Sequence, residues 1–176
     1  MSAIVIDTNV LLVASGLAKQ MSDACLKICY QRLEKARADE QVVVDNQFFI
    51  LGEYQNKLDA NKRRPSPGGE FIRHLLQHMA KPEKVAAIDL TPKNQERTKF
   101  AQFPPDAALE ADFDPADRKF VAASYAHPER PRIVESADSK WLGWEAQLKT
   151  HGIKLEVLCR DELQAIRDAK LSKKKK

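Results

Sequence analysis

The first residues of the chain combine a short apolar stretch with an acid at its end. Residues 3–6 are all apolar, Asp7 follows them, and the polar pair Thr8-Asn9 precedes a second apolar run. A stretch that is apolar at every position is typical of a central strand in a parallel sheet with helices on both faces. Open α/β sheets bind ligands at the carboxyl ends of their strands. We therefore expect Asp7 to hold a metal ion, a cationic group or a polar ligand.

The remainder of the chain alternates between helix-like and strand-like patterns. Apolar residues at helical spacing, with cap and stop residues, predict helices at 10–16, after Ser22, and at 46–60, 70–80, 116–126, 139–150 and 160–170. Short apolar runs predict further strands at 41–44, 85–90, 132–135 and 153–158. Strands that alternate with helices favour a parallel sheet with right-handed crossovers. We therefore predict an α/β fold, a three-layer α/β/α sandwich around a central, mostly parallel sheet.

Length and pattern together indicate a single domain over residues 1–170. A chain of 176 residues is of single-domain size, and 43% apolar residues suffice for a core. The stretch 61–69 contains two prolines, two glycines and three consecutive cations, which predicts an exposed loop. The pattern at 91–105 is weak. The basic stretch 171–176 predicts a disordered tail.

Composition argues against a membrane protein and limits what the net charge means. No apolar run approaches the roughly 18 residues of a spanning helix, and the N-terminus lacks a signal-peptide pattern. The net charge of +4 comes from Lys173–Lys176, because without these four the 29 basic residues fall to 25, equal to the 25 acidic ones. Three cysteines leave at least one unpaired, which suits a reducing compartment, and Cys25 and Cys29 are predicted to face the core. We expect a soluble, cytoplasmic protein.

Four acids recur at the ends of the predicted elements. Asp7 ends the first strand, Glu53 lies in the helix after the second, Asp117 begins a later helix, and Asp138 follows the strand at 132–135. Carboxylates brought together repel unless a cation lies between them, and hard oxygen ligands suit Mg²⁺ or Mn²⁺. Such ions activate water for phosphodiester hydrolysis. Taken singly, the last three acids are also explained as helix caps or surface charges.

Four segments around these acids resemble, in the same order, the motifs of the PIN-domain nuclease family. The segments are Ile6-Asp7-Thr8-Asn9-Val10-Leu11-Leu12, Phe49-Ile50-Leu51-Gly52-Glu53-Tyr54, Asp117-Arg118-Lys119-Phe120-Val121-Ala122-Ala123 and Ser136-Ala137-Asp138. The resemblance extends from residue 3 to about residue 158. It implies a PIN-like sandwich with an acidic pocket for Mg²⁺ or Mn²⁺, and metal-dependent endoribonuclease activity. In that case the four acids are catalytic metal ligands, and Thr8 and Asn9 orient Asp7 and a phosphate or water.

The chain departs from the family pattern in two places. Lys140 stands where many members carry another acid, two residues after the fourth. The segment at about 62–113 matches no part of the pattern and is a divergent region of the predicted domain. Asp114, and less directly Asp112, are candidates for a replacement carboxylate. These departures motivate a second hypothesis, a catalytically weakened PIN-like scaffold that binds RNA or protein.

Cations near the predicted pocket are candidates for contacts with nucleic acid. They are Lys57, Lys62, Arg63, Arg64, Arg118, Lys119 and Lys140. A solvated loop and helix face explains them equally well. Only 7% of residues are aromatic, which argues against an extended base-stacking surface and favours electrostatic binding. RNA is the expected partner, with single-stranded DNA as an alternative. The resemblance adds a toxin or defence role with a protein inhibitor or antitoxin, and a homodimer is a further alternative.

Overall fold

Five parallel strands form a single sheet in the computed structural model, which describes residues 1–58 and 65–175. The strands are β1 Ala3–Ile6, β2 Gln41–Asp45, β3 Val85–Ile88, β4 Arg132–Glu135 and β5 Leu155–Val157. Their order across the sheet is β3-β2-β1-β4-β5, and every pairing between neighbours is parallel. Helices accompany the strands throughout. The predicted three-layer α/β/α sandwich is therefore confirmed.

Eight helices are present in the described parts of the chain. They are α1 Thr8–Ala14, α2 Asp23–Asp39, α3 Phe49–Leu58, α4 Pro67–His78, α5 Ala107–Asp112, α6 Arg118–Ala126, α7 Lys140–Thr150 and α8 Arg160–Lys174. The pattern predicted seven of them. The exception is α5, a six-residue helix that begins after Asp106, whose carboxylate accepts a hydrogen bond from the Leu109 N–H. No helix in the described residues is both long enough and apolar enough to cross a membrane.

Strand β1 lies at the centre of the sheet, as its sequence predicts. It pairs with β2 on one side and with β4 on the other. Ile4, Val5 and Ile6 are completely buried. Burial of each such side chain contributes about 1.5–3 kcal/mol relative to exposure, which explains why the strand has no polar position before Asp7.

Helix α4 begins inside the stretch that was predicted to be a loop. The Ser66 hydroxyl accepts a hydrogen bond from the Gly69 N–H, and Pro67 occupies the first turn, where its fixed φ and missing N–H are tolerated. Gly68 lies so close to α1 that a Cβ there would be 2.7 Å from the Ser15 Oγ. The loop prediction is wrong for Pro67–Gly69, and its residues 61–64 lie outside the described part of the chain.

Helix α3 begins three residues later than predicted because of a buried acid at the end of β2. The Asp45 carboxylate accepts hydrogen bonds from the backbone N–H groups of Gln47, Phe49 and Ile50. These bonds hold residues 46–48 in a turn, with Phe48 at a φ of 63°. Asp45 is thus a capping acid, and it fixes the start of the helix that carries Glu53.

The divergent segment belongs to the same sheet and core. It supplies α4, β3 and α5, and its Phe71, Val85 and Leu109 are buried in the main apolar cluster. After α5, Phe113 packs against Trp144 with ring centroids 4.0 Å apart. The length of this segment is therefore used to complete the core.

Helix α8 is bonded to α2 and continues beyond its predicted end. A disulfide joins Cys25 of α2 to Cys159, the residue before α8, while Cys29 is free and buried. The helix extends to Lys174, so the tail prediction is wrong for residues 171–174. Lysines are good helix formers and interact favourably with a helix C-terminus. The prediction for Lys176 lies outside the described residues.

Candidate active site

Two buried acids meet at the carboxyl edge of the sheet, where β1 and β4 end side by side. Asp7 directly follows β1, and its N–H donates to the Val134 carbonyl at 2.9 Å. Glu135 is the last residue of β4. Asp7 is 1% exposed and Glu135 is fully buried. The two carboxyl groups are close enough for each to change the pKa of the other.

Burial and mutual repulsion change how these two acids ionise. Burial raises the pKa of Asp7 well above its usual range, and the neighbouring Glu135 raises it further. Burial likewise raises the pKa of Glu135, to about 7. Carboxyl groups this close cannot both be charged at neutral pH without a cation between them. The pair therefore holds a proton at neutral pH.

Glu135 is a site residue that the sequence patterns did not single out. Its Oε1 accepts hydrogen bonds from the N–H groups of Ala137, at 2.7 Å, and Asp138, at 2.5 Å. Its Oε2 is buried and receives no hydrogen bond from an N–H or O–H donor of the described residues. A signal was present in the sequence, because Glu135, like Asp7, is an acid at the end of a short apolar strand.

Asp117 brings a further carboxyl group to this edge of the sheet. We use the name acidic pocket for the group Asp7, Glu53, Asp117, Glu135 and Asp138. Asp117 precedes α6, and its side chain makes no capping hydrogen bond. Burial raises the pKa of Asp117 to about 8, and the charges of Asp7, Asp114 and Asp138 add to the shift. Such mutual repulsion requires these acids to be neighbours. The structure therefore brings Asp7, Asp117 and Asp138 to one edge of the sheet.

Glu53 lies at the edge of this pocket and is held by two neighbours. The Thr8 hydroxyl donates to Glu53 Oε1 at 2.5 Å. The Lys119 ammonium forms an ion pair with Glu53 and donates to the Ala116 carbonyl. The prediction that Thr8 orients Asp7 is therefore corrected, because its hydroxyl orients Glu53. Asn9 does contact Asp7, through its backbone N–H, which donates to Asp7 Oδ2 at 2.9 Å.

Asp138 and Lys140 form the outer rim of the pocket. Asp138 Oδ1 accepts a hydrogen bond from the Lys140 N–H at 3.0 Å. The Lys140 side chain is 58% exposed, and its ammonium lies 2.9 Å from Asp114 Oδ2. This ion pair lowers the pKa of Asp114. Asp114 is therefore close to the pocket but paired with a lysine, while Asp112 accepts a hydrogen bond from the Trp144 indole instead.

The cations that were predicted to contact nucleic acid lie in different environments. The Arg118 guanidinium is buried and donates to the carbonyls of Thr98 and Phe113. Lys119 is also buried, on Glu53. The prediction that these two contact nucleic acid from the surface is therefore corrected, because their donors bond within the domain. Lys57 is exposed, and the predictions for Lys62, Arg63 and Arg64 lie outside the described residues.

The chemistry of this pocket fits a hard divalent cation. The side chains here offer carboxylate oxygens, and the pKa values of Asp7, Glu135 and Asp117 are raised mainly by burial. Within the described residues, three carboxylate oxygens do not come within 4.8 Å of one another; only the sulfur atoms of Cys25, Cys29 and Cys159 meet that distance. Mg²⁺ usually keeps several waters and uses one or two carboxylates, which suits the wider spacing.

Comparison of the chain with protein-family models, with curated proteins and with solved structures finds no match. A function for this chain must therefore be inferred from the geometry of the site and from the four sequence motifs.

Ionisation of Asp117 predicts how stability depends on pH. Its pKa is raised in the folded state, so its contribution to stability is present at low pH and is lost as pH rises through about 8. In chelator, we expect the melting temperature to fall between pH 5 and 8.5, on the order of 5 °C, since 1 kcal/mol corresponds to about 2–4 °C at this size. Asp117→Asn should make this dependence shallower, and the Asp7–Glu135 pair accounts for what remains.

Thermal unfolding followed by circular dichroism across this pH range measures the effect. The exposed Asp168→Asn is the matched control and should keep the wild-type slope. An Asp117→Asn protein with that same slope would show that Asp117 ionises normally.

Proposed function

We propose that the protein is a divalent-metal-dependent nuclease that hydrolyses phosphodiester bonds, with RNA as substrate and internal cleavage as its mode. The observation that carries the proposal is the cluster of Asp7, Glu135, Asp117 and Asp138, three of them with raised pKa values, at the carboxyl edge of the sheet. Acids in such an arrangement are the means by which proteins hold Mg²⁺ or Mn²⁺ for phosphoryl chemistry. The four motifs that resemble PIN-domain nucleases support the same reading.

The residues of the pocket have distinct roles in this proposal. Asp7, Asp117 and Asp138 would hold the ion, with Glu53 bound directly or through water. The ion, when bound, activates water and stabilises charge on the leaving oxygen. The Asp7–Glu135 pair would release its proton when Asp7 binds the ion.

Three residues support the ligands. Glu135 also holds the turn that carries Asp138, through the two backbone N–H groups bonded to its Oε1. Thr8 and Lys119 hold the Glu53 carboxylate in place through a hydrogen bond and an ion pair. Catalysis would then depend on these supports as well as on the ligands.

The direct test is cleavage of a single-stranded RNA oligonucleotide labelled at one end. With Mn²⁺ or Mg²⁺ we expect internal products, and with excess chelator none. Terminal products alone would indicate an exonuclease, and equal cleavage in chelator would refute metal dependence. A single-stranded DNA of the same sequence tests the alternative substrate.

Loss of the Thr8 hydroxyl is expected to weaken Mn²⁺ binding while preserving the fold. Thr8→Val removes the hydrogen bond to Glu53 with little change of shape, and loss of such outer partners costs about 10- to 100-fold in metal affinity. Titration calorimetry with Mn²⁺ measures the change. Thr8→Ser keeps the hydroxyl and should bind nearly as tightly as the wild type. Equal affinity of Thr8→Val and wild type would rule out a supporting role for Thr8.

A second candidate function is a PIN-like scaffold that binds RNA or protein without cleavage. Lysine ammonium groups already neutralise two of the acids, with Lys119 on Glu53 and Lys140 on Asp114. Because these lysines already balance part of the negative charge, this observation favours a pocket that binds a divalent cation weakly. Calorimetry separates the candidates, because the scaffold would bind no Mn²⁺ and the nuclease would.

Location and partners extend the proposal. We propose a cytoplasmic protein whose biological setting is a toxin or defence system with a protein inhibitor or antitoxin. A homodimer is the proposed assembly. Size-exclusion chromatography with light scattering tests the dimer, and co-purification with the product of a neighbouring small gene tests the inhibitor.

A further inference from the structure

We propose that Lys140 and Arg167 form a phosphate-binding subsite beside the acidic pocket, which holds the RNA phosphate that flanks the cleaved bond. The inference rests on the proposed nuclease function, because it identifies how the substrate strand would be held next to that site. It also gives a role to the lysine that stands where the family pattern has an acid.

A surface cavity of about 290 Å³ is the basis of the proposal. Its lining residues are Asp112, Lys140, Gly143, Trp144 and Arg167. The cavity is adjacent to the acidic pocket, because Lys140 follows Asp138 by two residues and its N–H is bonded to the Asp138 carboxylate. An RNA strand bound at the acidic pocket would therefore have this cavity beside it.

The charge of the cavity is positive. Lys140 and Arg167 contribute two cations against one acid of the lining, Asp112, whose Oδ2 accepts a hydrogen bond from the Trp144 indole. Lys140 is also paired with Asp114, which lies outside the lining. Lys170 lies nearby, with its ammonium 3.4 Å from the Ser139 hydroxyl. A small anion is thus the ligand that this lining favours.

Arg167 packs directly against Gly143, which has no side chain to keep the guanidinium away. A Cβ on Gly143 would lie 2.7 Å from Arg167 Nη2, so the guanidinium packs directly on the first turns of α7. Its Nη1 donates to the Ser139 carbonyl at 3.2 Å. In the described residues, Nη2 and Nε donate no hydrogen bond, which leaves a fixed guanidinium with free donors. Such a planar fork matches the oxygen atoms of a phosphate.

Lys140 supplies the second, more adjustable cation. Its ammonium has three N–H donors, and only one is needed for Asp114. The side chain is 58% exposed, so it can turn toward a bound phosphate without unpacking the domain. Together the two residues provide a fixed donor and a mobile donor on the same cavity.

Salt dependence of RNA binding tests the subsite directly. Binding of a fluorescent single-stranded RNA to the full chain is measured in chelator, so that cleavage does not interfere. Each lost phosphate contact lowers the salt slope by about 0.7 for a single strand, which is about fivefold weaker binding at 0.1 M salt. Lys140→Ala and Arg167→Gln should each show this loss. Lys154→Ala is the matched control, because Lys154 is exposed and precedes β5 at the opposite edge of the sheet. Its salt slope should change less than the slopes of the other two variants.

A pair of glycine variants tests the position of Arg167 without changing any charge. Gly143→Ala displaces the Arg167 guanidinium and should weaken RNA binding about fivefold at 0.1 M salt, as for a lost contact. Gly52→Ala is the control, because an added Cβ there meets nothing within 4 Å. If Arg167→Gln disturbs folding, Gly143→Ala and Lys140→Ala decide the question.

The outcomes separate this inference from the nuclease proposal. Reduced slopes for Lys140→Ala and Gly143→Ala support the subsite even if no cleavage is found with Mn²⁺. Metal-dependent cleavage together with wild-type slopes in both variants would overturn the subsite and leave the nuclease proposal standing. Binding of poly-glutamate is measured in the same way as binding of RNA. If Lys140→Ala and Gly143→Ala weaken the binding of poly-glutamate but not of RNA, the subsite is overturned in favour of an acidic protein ligand.

Discussion

Replacement of Asp7 by asparagine is expected to reduce Mn²⁺-dependent RNA cleavage at least about 100-fold, since even outer-shell partners of metal ligands cost about 10- to 100-fold. Asp7 ends the central strand and is the most deeply buried of the predicted ligands. Its carboxylate faces Glu135, and Glu53 and Asp117 interact with its charge. An amide at this position removes the negative charge on which cation binding depends.

The same substitution should leave the fold intact. Asparagine is as good an N-cap as aspartate, so the hydrogen bond from the Asn9 N–H is retained. Replacing the acid also removes the electrostatic cost of two neighbouring buried carboxyl groups. We therefore expect a melting temperature equal to or higher than that of the wild type in chelator.

Initial cleavage rates and thermal unfolding, measured on the same samples, check both expectations. Asp106→Asn is the matched control, because Asp106 is also a helix-capping aspartate but lies at the start of α5, bonded to Leu109 and His151. That variant should cleave at the wild-type rate. Full activity of Asp7→Asn would refute the proposed nuclease site.

Reduction of the Cys25–Cys159 disulfide is expected to lower the free energy of unfolding by about 3–5 kcal/mol. The bond joins residues 134 apart in the chain, and closing so long a loop restricts the unfolded state strongly. In a domain of this size the loss corresponds to a melting temperature roughly 10 °C lower. In a reducing cytoplasm the protein would therefore have this lower stability.

Denaturant unfolding with and without dithiothreitol measures the loss. The Cys159→Ser variant should match the reduced wild type and show no further response to reductant. Unchanged stability of the wild type on reduction would contradict the prediction.

Cys29 is not expected to exchange with this bond quickly. Its sulfur lies within 4.8 Å of the other two, but burial raises its pKa to about 11. The thiolate is the attacking species in disulfide exchange, so a thiol kept protonated reacts slowly. Iodoacetamide labelling of the native protein should accordingly leave Cys29 unmodified.

The local pattern of apolar and polar residues was sufficient to predict most of the secondary-structure elements. It predicted all five strands, and β1, β2 and β4 are the ones that the sheet buries most completely. It failed at the ends of two helices. Helix α4 begins at Pro67 because Ser66 caps it and Gly68 fits against α1, and α8 continues through residues that were predicted as tail.

The candidate site divides in the same way. Asp7, Asp117 and Asp138 could be predicted, because acids that end parallel strands or begin the following helices come to one edge of the sheet. The partners of these acids could not. Each of these contacts joins residues that are far apart in the chain, and nothing in the local sequence marks the pairs. They are Thr8 with Glu53, Lys119 with Glu53 and Lys140 with Asp114, which are 45, 66 and 26 positions apart.

By itself, the sequence determined the central strand, the alternation of strands and helices, and the order of the acids, since periodicity and strand ends are local properties that hydrophobic burial acts on. Only the tertiary structure decided that Glu135 faces Asp7, that Arg118 and Lys119 turn inward, and that Arg167 reaches Gly143. These contacts depend on which strands are neighbours in the sheet. Their energies come from desolvation and charge at short range, which exist only after the chain has folded.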